Sequence, residues 1–431
     1  MVVTGRAALL AALGVLWVGL VQPDWDGVLV WLAVVVAAVT VDVVLAASPR
    51  DLTVTRETAA SVRLGEPTTS VLTLTNRGRR RLRGRVRDAW PPSAGADQDR
   101  HALSLPGGER RRVSTALQPT RRGDRVADRV TVRSLGPLGV GGRQRSLEVP
   151  GRLRVLPPFA SRRHLPSRLA RLREIDGRSA TNIRGQGTEF DSLRDYVEGD
   201  DVRSIDWRAT ARRRQVVVRT WRPERDRHVL IVLDTSRTSA GRVGDAPRLD
   251  AAMEAALLLA ALASRAGDRV DLVALDRRVR ARVEGASPAT LLSSLVTALA
   301  PLEAELVECD WALAVRTVLG RLSHRALVVL LTPLEAAAVE EGLLPVLGQL
   351  TRRHQVVVAS VADPEVEALR RKRDTVEEVY DAAAAERGAL ERDRVERLLT
   401  RLGADVVDAP PDDLAPRLAD RYLALKAAGR L

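Results

Sequence analysis

Arg227-His228-Val229-Leu230-Ile231-Val232-Leu233 runs directly into Asp234-Thr235-Ser236-Arg237-Thr238, and this stretch decides the fold. Five consecutive Val, Leu and Ile residues suit a short strand buried on both faces. The Asp that ends it would sit at the carboxyl edge of a sheet, where open α/β folds bind ligands. The Asp-x-Ser-x-Thr spacing gathers one carboxylate and two hydroxyls, Asp234, Ser236 and Thr238, in one loop able to hold a divalent cation.

Downstream, residues 270–275, 326–331, 355–361 and 404–407 repeat the short buried pattern, with apolar periodic stretches such as 249–266 and 288–302 between them. This alternation predicts an α/β domain over 227–431 with a mostly parallel, Rossmann-like sheet and helices on both faces. Residues 51–156 read differently. Runs at 69–75, 112–117 and 129–133 alternate with period two between Asn-Arg-Gly, Pro-Gly-Gly and Gly-Pro turns, which predicts a small antiparallel β-sandwich. Residues 157–226 read as an Arg-rich connector, helical at 166–175, followed by an irregular arm.

Residues 7–21 are wholly apolar or glycine, and 28–47 are apolar apart from Thr40 and Asp42. With the turn between them they predict a two-helix transmembrane hairpin in residues 1–50. The second span is close to the ~20 residues a bilayer needs, whereas the first is short. A cleaved signal peptide is disfavoured, since no small-x-small site follows the first run and a second begins at once. Arg6, Arg50 and Arg56 flank the spans and only Asp24 and Asp26 lie between them, so both ends are expected in the cytoplasm, at the plasma membrane. Asp42 is expected to be a packing or interface residue.

The 431 residues carry a formal net charge of +13. Between Asp51 and Val155 there are 22 Arg against 10 Asp and Glu, so nearly all of the surplus lies in one region. Trp90 is the sole aromatic there apart from histidine, and without stacking platforms the region does not suit single-stranded nucleic acid. The cluster Arg77-Gly78-Arg79-Arg80-Arg81-Leu82-Arg83 follows the spans closely and suits a solvated turn facing anionic lipid. Cys309 is the only cysteine, which excludes an intrachain disulfide and suits a reducing compartment.

The arm begins at Gly185-Gln186-Gly187-Thr188-Glu189-Phe190 and continues through Asp200-Asp201-Val202-Arg203-Ser204-Ile205-Asp206-Trp207 to Ala211-Arg212. Charge, glycine and aromatics are too dense for a generic loop. Glu189, Arg194, Tyr196, Asp200, Asp201, Arg203, Asp206 and Trp207 are its candidate signature residues. Arg–carboxylate pairs could fix the arm internally or present a docking surface, with Trp207 as an anchor.

The arm resembles the signature of the bacterial domain of unknown function 58 family. The match runs through Gly187, Glu189, Phe190, Leu193, Arg194, Tyr196, Gly199, Asp200, Asp201, Arg203, Ile205, Asp206 and Trp207. The resemblance implies a von Willebrand factor A-like domain after the arm, and it accounts for the paired spans, the sandwich and the Gly136-Pro137-Leu138-Gly139 turn. It also implies a partner, a MoxR-type AAA+ ATPase, but no reaction. In metal-binding domains of that kind a later Thr and a later Asp complete the shell. Here those places hold Glu308-Cys309-Asp310 and Thr332-Pro333-Leu334-Glu335. A thiol suits a hard cation poorly, though Asp310 or Glu335 could substitute. Alternatively, Asp234 caps the next helix or holds its loop.

No Gly-x-x-x-x-Gly-Lys-Ser/Thr or His-Glu-x-x-His occurs. His101, His164, His228, His324 and His354 are scattered, each beside an Arg. Cys309 lies between two acids that would raise its pKa and weaken it as a nucleophile. The reading is a non-catalytic, membrane-anchored adaptor with no small-molecule substrate. The alternative is a Mg²⁺-dependent ligand-binding module at Asp234, Ser236 and Thr238, and a weaker one is a hydrolase.

Overall fold

Ala, Leu and Val without proline from Gly5 to Leu20 and again from Trp25 to Leu45 form helices α1 and α2 in the computed structural model. The backbone is described for residues 1–182, 189–198, 200–222 and 227–431, and side chains for all of these except 176–182, 189–192, 213 and 220–222. Pro23 interrupts the two helices, and Asp24 caps α2 by accepting from Gly27 N at 2.8 Å. Trp17 stacks on Trp31 with ring centroids 5.7 Å apart, and Trp31 Nε1 donates to Leu10 O at 3.0 Å. Gly14 makes room for that ring, since a Cβ there would lie 2.1 Å from it. Helix α2 with its following turn, Trp25–Asp51, is long and apolar enough to cross a bilayer. Helix α1 has 16 residues, about 24 Å at ~1.5 Å per residue, against a hydrocarbon core of about 30 Å. The two helices begin before the sequence-predicted spans, at Gly5 and Trp25.

The chain forms two units, residues 1–156 and 157–431. In the first, strand β1 Val2–Val3 precedes α1, and β2 Leu52–Thr58, β3 Ser61–Arg63, β4 Thr68–Asn76, β5 Leu82–Asp88, β6 Arg100–Leu105, β7 Arg110–Leu117, β8 Gly123–Leu135 and β9 Gly141–Leu156 follow α2. One sheet is ordered β2-β4-β7 and the other β1-β9-β8-β5-β6, with β3 parallel to β9 and the remaining pairs antiparallel. Leu72, Leu74 and Val113 from the first sheet share a core with Leu82, Val86, Leu103, Val130 and Val132 from the second. The basic surplus follows from the pleat. On β5, Leu82 and Val86 point inward while Arg83, Arg85 and Arg87 are exposed.

The second unit opens with α3 Leu165–Asn182, the arm strands β10 Glu189–Asp195 and β11 Val217–Arg222, and α4 Trp207–Arg213 between them. Then come β12 His228–Asp234, α5 Arg237–Ala240, the short ribbon of β13 Arg242–Val243 and β14 Ala246–Pro247, α6 Arg248–Arg265, β15 Arg269–Leu275, β16 Val279–Val283, α7 Leu291–Leu299 and α8 Trp311–Arg321. Next are β17 Leu327–Leu331, α9 Ala336–Ala338, α10 Leu344–Thr351, β18 Gln355–Val361, α11 Pro364–Leu369, α12 Val376–Arg401, β19 Ala404–Ala409 and α13 Pro411–Ala427. The main sheet is ordered β16-β15-β12-β17-β18-β19, and only β16 runs antiparallel. Leu230 and Val232 face a core shared with α8, α10 and α12. Helices α6 and α13 pack together against the sheet, and α6 is buried almost all round.

Two departures from the sequence pattern have local causes. Strand β16 has a single fully buried residue, Val283, in Val279-Arg280-Ala281-Arg282-Val283, too little for an apolar run. Residues from Pro157 onward do not act as a free connector. Glu254 of α6 accepts from Ala160 N at 2.9 Å and Ser161 N at 3.0 Å, and Arg168 pairs with Asp420 of α13 at 2.9 Å.

Candidate functional site

Strand β12 delivers Asp234 to the carboxyl edge of the sheet, between β15 and β17. Its Oδ1 accepts from Ser236 N at 2.8 Å. Its Oδ2 accepts from Thr238 Oγ1 at 3.1 Å and from Thr332 Oγ1 at 2.7 Å, while Ser236 Oγ lies 3.2 Å from Thr238 Oγ1. Asp234, Ser236, Thr238 and Thr332 are all buried. Burial raises the Asp234 pKa above the ordinary carboxylate value, against the opposing pull of the Ser236, Thr332 and Thr238 hydrogen bonds. The sequence named Thr332 only as part of the loop standing where a later ligand is expected, 98 residues from Asp234, and offered Asp310 or Glu335 instead of its hydroxyl. The available signal was its place immediately after the strand that pairs with β12.

The other positions offered for a metal shell serve different purposes. Cys309 lies beside Asp234, and burial, followed by the charges of Asp234, Asp310 and Asp276, pushes its thiol pKa far up. It is therefore held protonated, a weak nucleophile and a poor ligand. Asp310 caps α8, accepting from Leu313 N at 2.7 Å. Glu335 pairs with Arg248 at 3.1 Å, and Glu308 pairs with Arg237. Thr235 Oγ1 and Arg280 Nη1 donate to Asp276 at 3.1 and 2.7 Å. Burial alone would raise the Asp276 pKa, but these donors and Arg278 N keep it below the usual range. Asp234 thus holds its own loop through Ser236 N and does not cap α5. Four hard oxygens, from Asp234, Ser236, Thr238 and Thr332, converge and could supply the protein side of an octahedral Mg²⁺ shell. Among the described residues no group of three or more His, Cys, Asp or Glu adds to them.

The arm is built by its charges. Arg194 grips Asp200 through both oxygens, at 2.7 and 2.5 Å, and Asp200 also accepts from Val197 N at 3.0 Å. Asp201 accepts from Arg203 N at 3.0 Å. Asp206 caps α4 through Arg208 N and Ala209 N, both at 3.0 Å, and reaches across to Arg219 Nε at 2.8 Å. These bonds, led by the one from Ala209 N, lower the Asp206 pKa. Val217 and Val218 are buried beneath them.

Other apolar residues of the arm point outward. Trp207 is 67% exposed, with Val202 at 62%, Val197 at 61% and Tyr196 at 37%. Trp207 is therefore not an anchor in a core, because α4 begins at it with Asp206 already supplying the cap. The side chain of Arg203 is exposed. Gly187, Gly199 and the side chains of Glu189 and Phe190 lie outside the described residues.

Residues 192–398, from the arm to α12, match the model of the family described as protein of unknown function DUF58. This stretch, just under half of the chain, is similar to the DUF58 family. Uncharacterized proteins of Mycobacterium tuberculosis and Mycobacterium bovis are 28% identical to it over 186 residues, 42% of this chain. The match spans 57% of the length of these curated relatives. Among solved structures, the CARDB domain of the PF1109 protein from Pyrococcus furiosus, in complex with di-metal ions, shares 17% identity at a TM-score of 0.17. It covers 23% of this chain and 87% of its own. The human seminal complex of zinc 2-glycoprotein with prolactin inducible protein shares 13% identity at a TM-score of 0.20, covering 24% of this chain and 92% of that chain. Likenesses this slight bear on neither the fold nor the function of this chain.

Proposed function

We propose that this chain is a non-catalytic, membrane-anchored adaptor whose soluble parts face the cytoplasm and whose arm receives a MoxR-type AAA+ ATPase. The observation that carries the reading is the division of labour in the arm. Arg194 is engaged with Asp200 and Arg219 with Asp206, whereas Trp207, Val202, Val197 and Tyr196 are exposed together on one short segment. Exposed aromatics of this kind suit the centre of a protein–protein contact. The sheet order and the Asp234 loop support a von Willebrand factor A-like domain, and the packed pair α1 and α2 supports a hairpin anchor with two spans. The full chain, captured in detergent from its native lysate with and without ATP and Mg²⁺, is expected to retain an AAA+ ATPase in a nucleotide-dependent way, and Trp207→Ala to lose it. Recovery of no such ATPase in either condition would sink the reading.

A second reading rests on the convergence of Thr332 with Asp234, Ser236 and Thr238. These four would hold Mg²⁺, which when bound would supply a positive charge for a partner's carboxylate. The hydroxyls would orient the Asp234 carboxylate, and the sheet edge would exclude water from its inner side. Titration calorimetry with Mg²⁺ and Mn²⁺ separates the readings. The adaptor needs no metal heat, and heat that vanishes in Asp234→Ala would favour the metal-dependent module.

A further inference from the structure

The first unit ties both apolar helices to one loop, Gly136-Pro137-Leu138-Gly139-Val140-Gly141. Asp42, three residues before the end of α2, is fully buried. Its Oδ1 accepts from Leu138 N at 2.8 Å, and its Oδ2 from Val140 N at 2.6 Å and Gly141 N at 2.9 Å. The backbone can wrap the carboxylate because residue 136 has no side chain, a Cβ there falling 2.4 Å from Asp42 Oδ1. The start of α1 meets the same loop. Thr4 Oγ1 donates to Gly139 O at 2.7 Å, and Val2–Val3 pair with Gly141 and Gly142. The loop therefore lies level with the ends of both helices.

Arginines gather at that level. Arg143 Nε donates to Val43 O at 2.8 Å and Arg80 Nη1 to Val44 O at 3.0 Å, so both occupy the open carbonyls at the carboxyl end of α2. Arg6 packs beside Gly139, at φ +73°. Among the described residues none of these three has a carboxylate partner within ion-pair distance. Leu138, in the same loop, is 54% exposed. If α2 crosses a bilayer, an exposed leucine and three guanidiniums at the carboxyl end of α2 stand at the boundary between acyl chains and phosphates. Soluble polyanions would have no use for Leu138.

We propose that Arg6, Arg80 and Arg143 with Leu138 form a binding collar for the phosphate headgroups of anionic phospholipid, the guanidiniums taking phosphate oxygens and Leu138 entering the interface. This rests on the membrane-spanning reading of α2. The full chain is placed in nanodiscs of phosphatidylcholine with and without phosphatidylglycerol, and retained lipid is counted by native mass spectrometry. The wild type is expected to retain phosphatidylglycerol preferentially. R80Q/R143Q is expected to lower that preference about 30-fold, which is roughly 2 kcal/mol at ~1.4 kcal/mol per decade. R80K/R143K keeps the charge and is expected to keep the preference. Carbonate extraction of native membranes separates the two readings. A wild-type chain stripped by carbonate overturns both. A carbonate-resistant chain whose preference is unchanged in R80Q/R143Q overturns the collar alone, as does loss of preference in R80K/R143K, which would leave the arginines a structural role only. Single-stranded RNA bound by the solubilised chain through the same two arginines, with lipid preference intact in R80Q/R143Q, would also overturn it.

Discussion

Thr332 gives Asp234 its shortest bond, at 2.7 Å, and nothing else described in that loop can replace it. Thr332→Val keeps the shape and removes the donor. It is expected to cost about 1–3 kcal/mol, the usual penalty for leaving a buried acceptor short of a partner, and thermal unfolding reads it directly. Asp234 also makes a pH prediction. Its pKa is raised in the folded state, so between the unfolded value and the folded one the native chain holds the extra proton, and stability falls as pH rises. Asp234→Asn removes that dependence. The stability of the variant relative to wild type should therefore climb as pH rises above about 4, the ordinary carboxylate range. Denaturant midpoints across that window test it, and a flat difference would mean that burial does not retain the proton. The Asp-x-Ser-x-Thr half of this cluster was legible from spacing. The segments holding Thr332 and Cys309 entered only through the family resemblance, and spacing alone did not single out Thr332 as the donor, because its approach depends on how the sheet orders its strands.

At the level of elements, the arm separates residues that build from residues that present. Asp206 holds the first turn of α4 and ties it to β11 through Arg219. Asp206→Ala should speed amide exchange across Trp207–Arg213 and Val217–Arg222. Trp207→Ala should leave that exchange unchanged while abolishing ATPase capture, since Trp207 is exposed and its removal exposes no core. Matching exchange profiles in the two variants would contradict the division. The density of charge announced that the arm was unusual, yet its pairing scheme could not be read from the sequence. Asp200 meets Arg194 six residues away and Asp206 meets Arg219 thirteen away, across irregular backbone with no fixed period.

Across the whole molecule, apolar helices and most of the surplus basic charge fall in the same unit, residues 1–156. A chain anchored by α2 is expected to remain in the membrane fraction after carbonate washing. Its release by high salt alone would point instead to surface attachment through the arginines, because screening weakens charge contacts and leaves apolar insertion intact.

Local order was determined by the sequence alone. The five parallel strands, helices α1, α2 and α6, and the outward arginines of the sandwich all follow from periods of 2 and 3.6 or from unbroken apolar runs, which depend only on neighbours a few residues apart. Tertiary structure decided what the polar groups do. Asp42 finds its three donors 96 to 99 residues away, and Asp234 finds Thr332 at a separation of 98. Such meetings depend on sheet order and strand register, and no local pattern encodes which distant hydroxyl or amide will arrive beside a buried carboxylate.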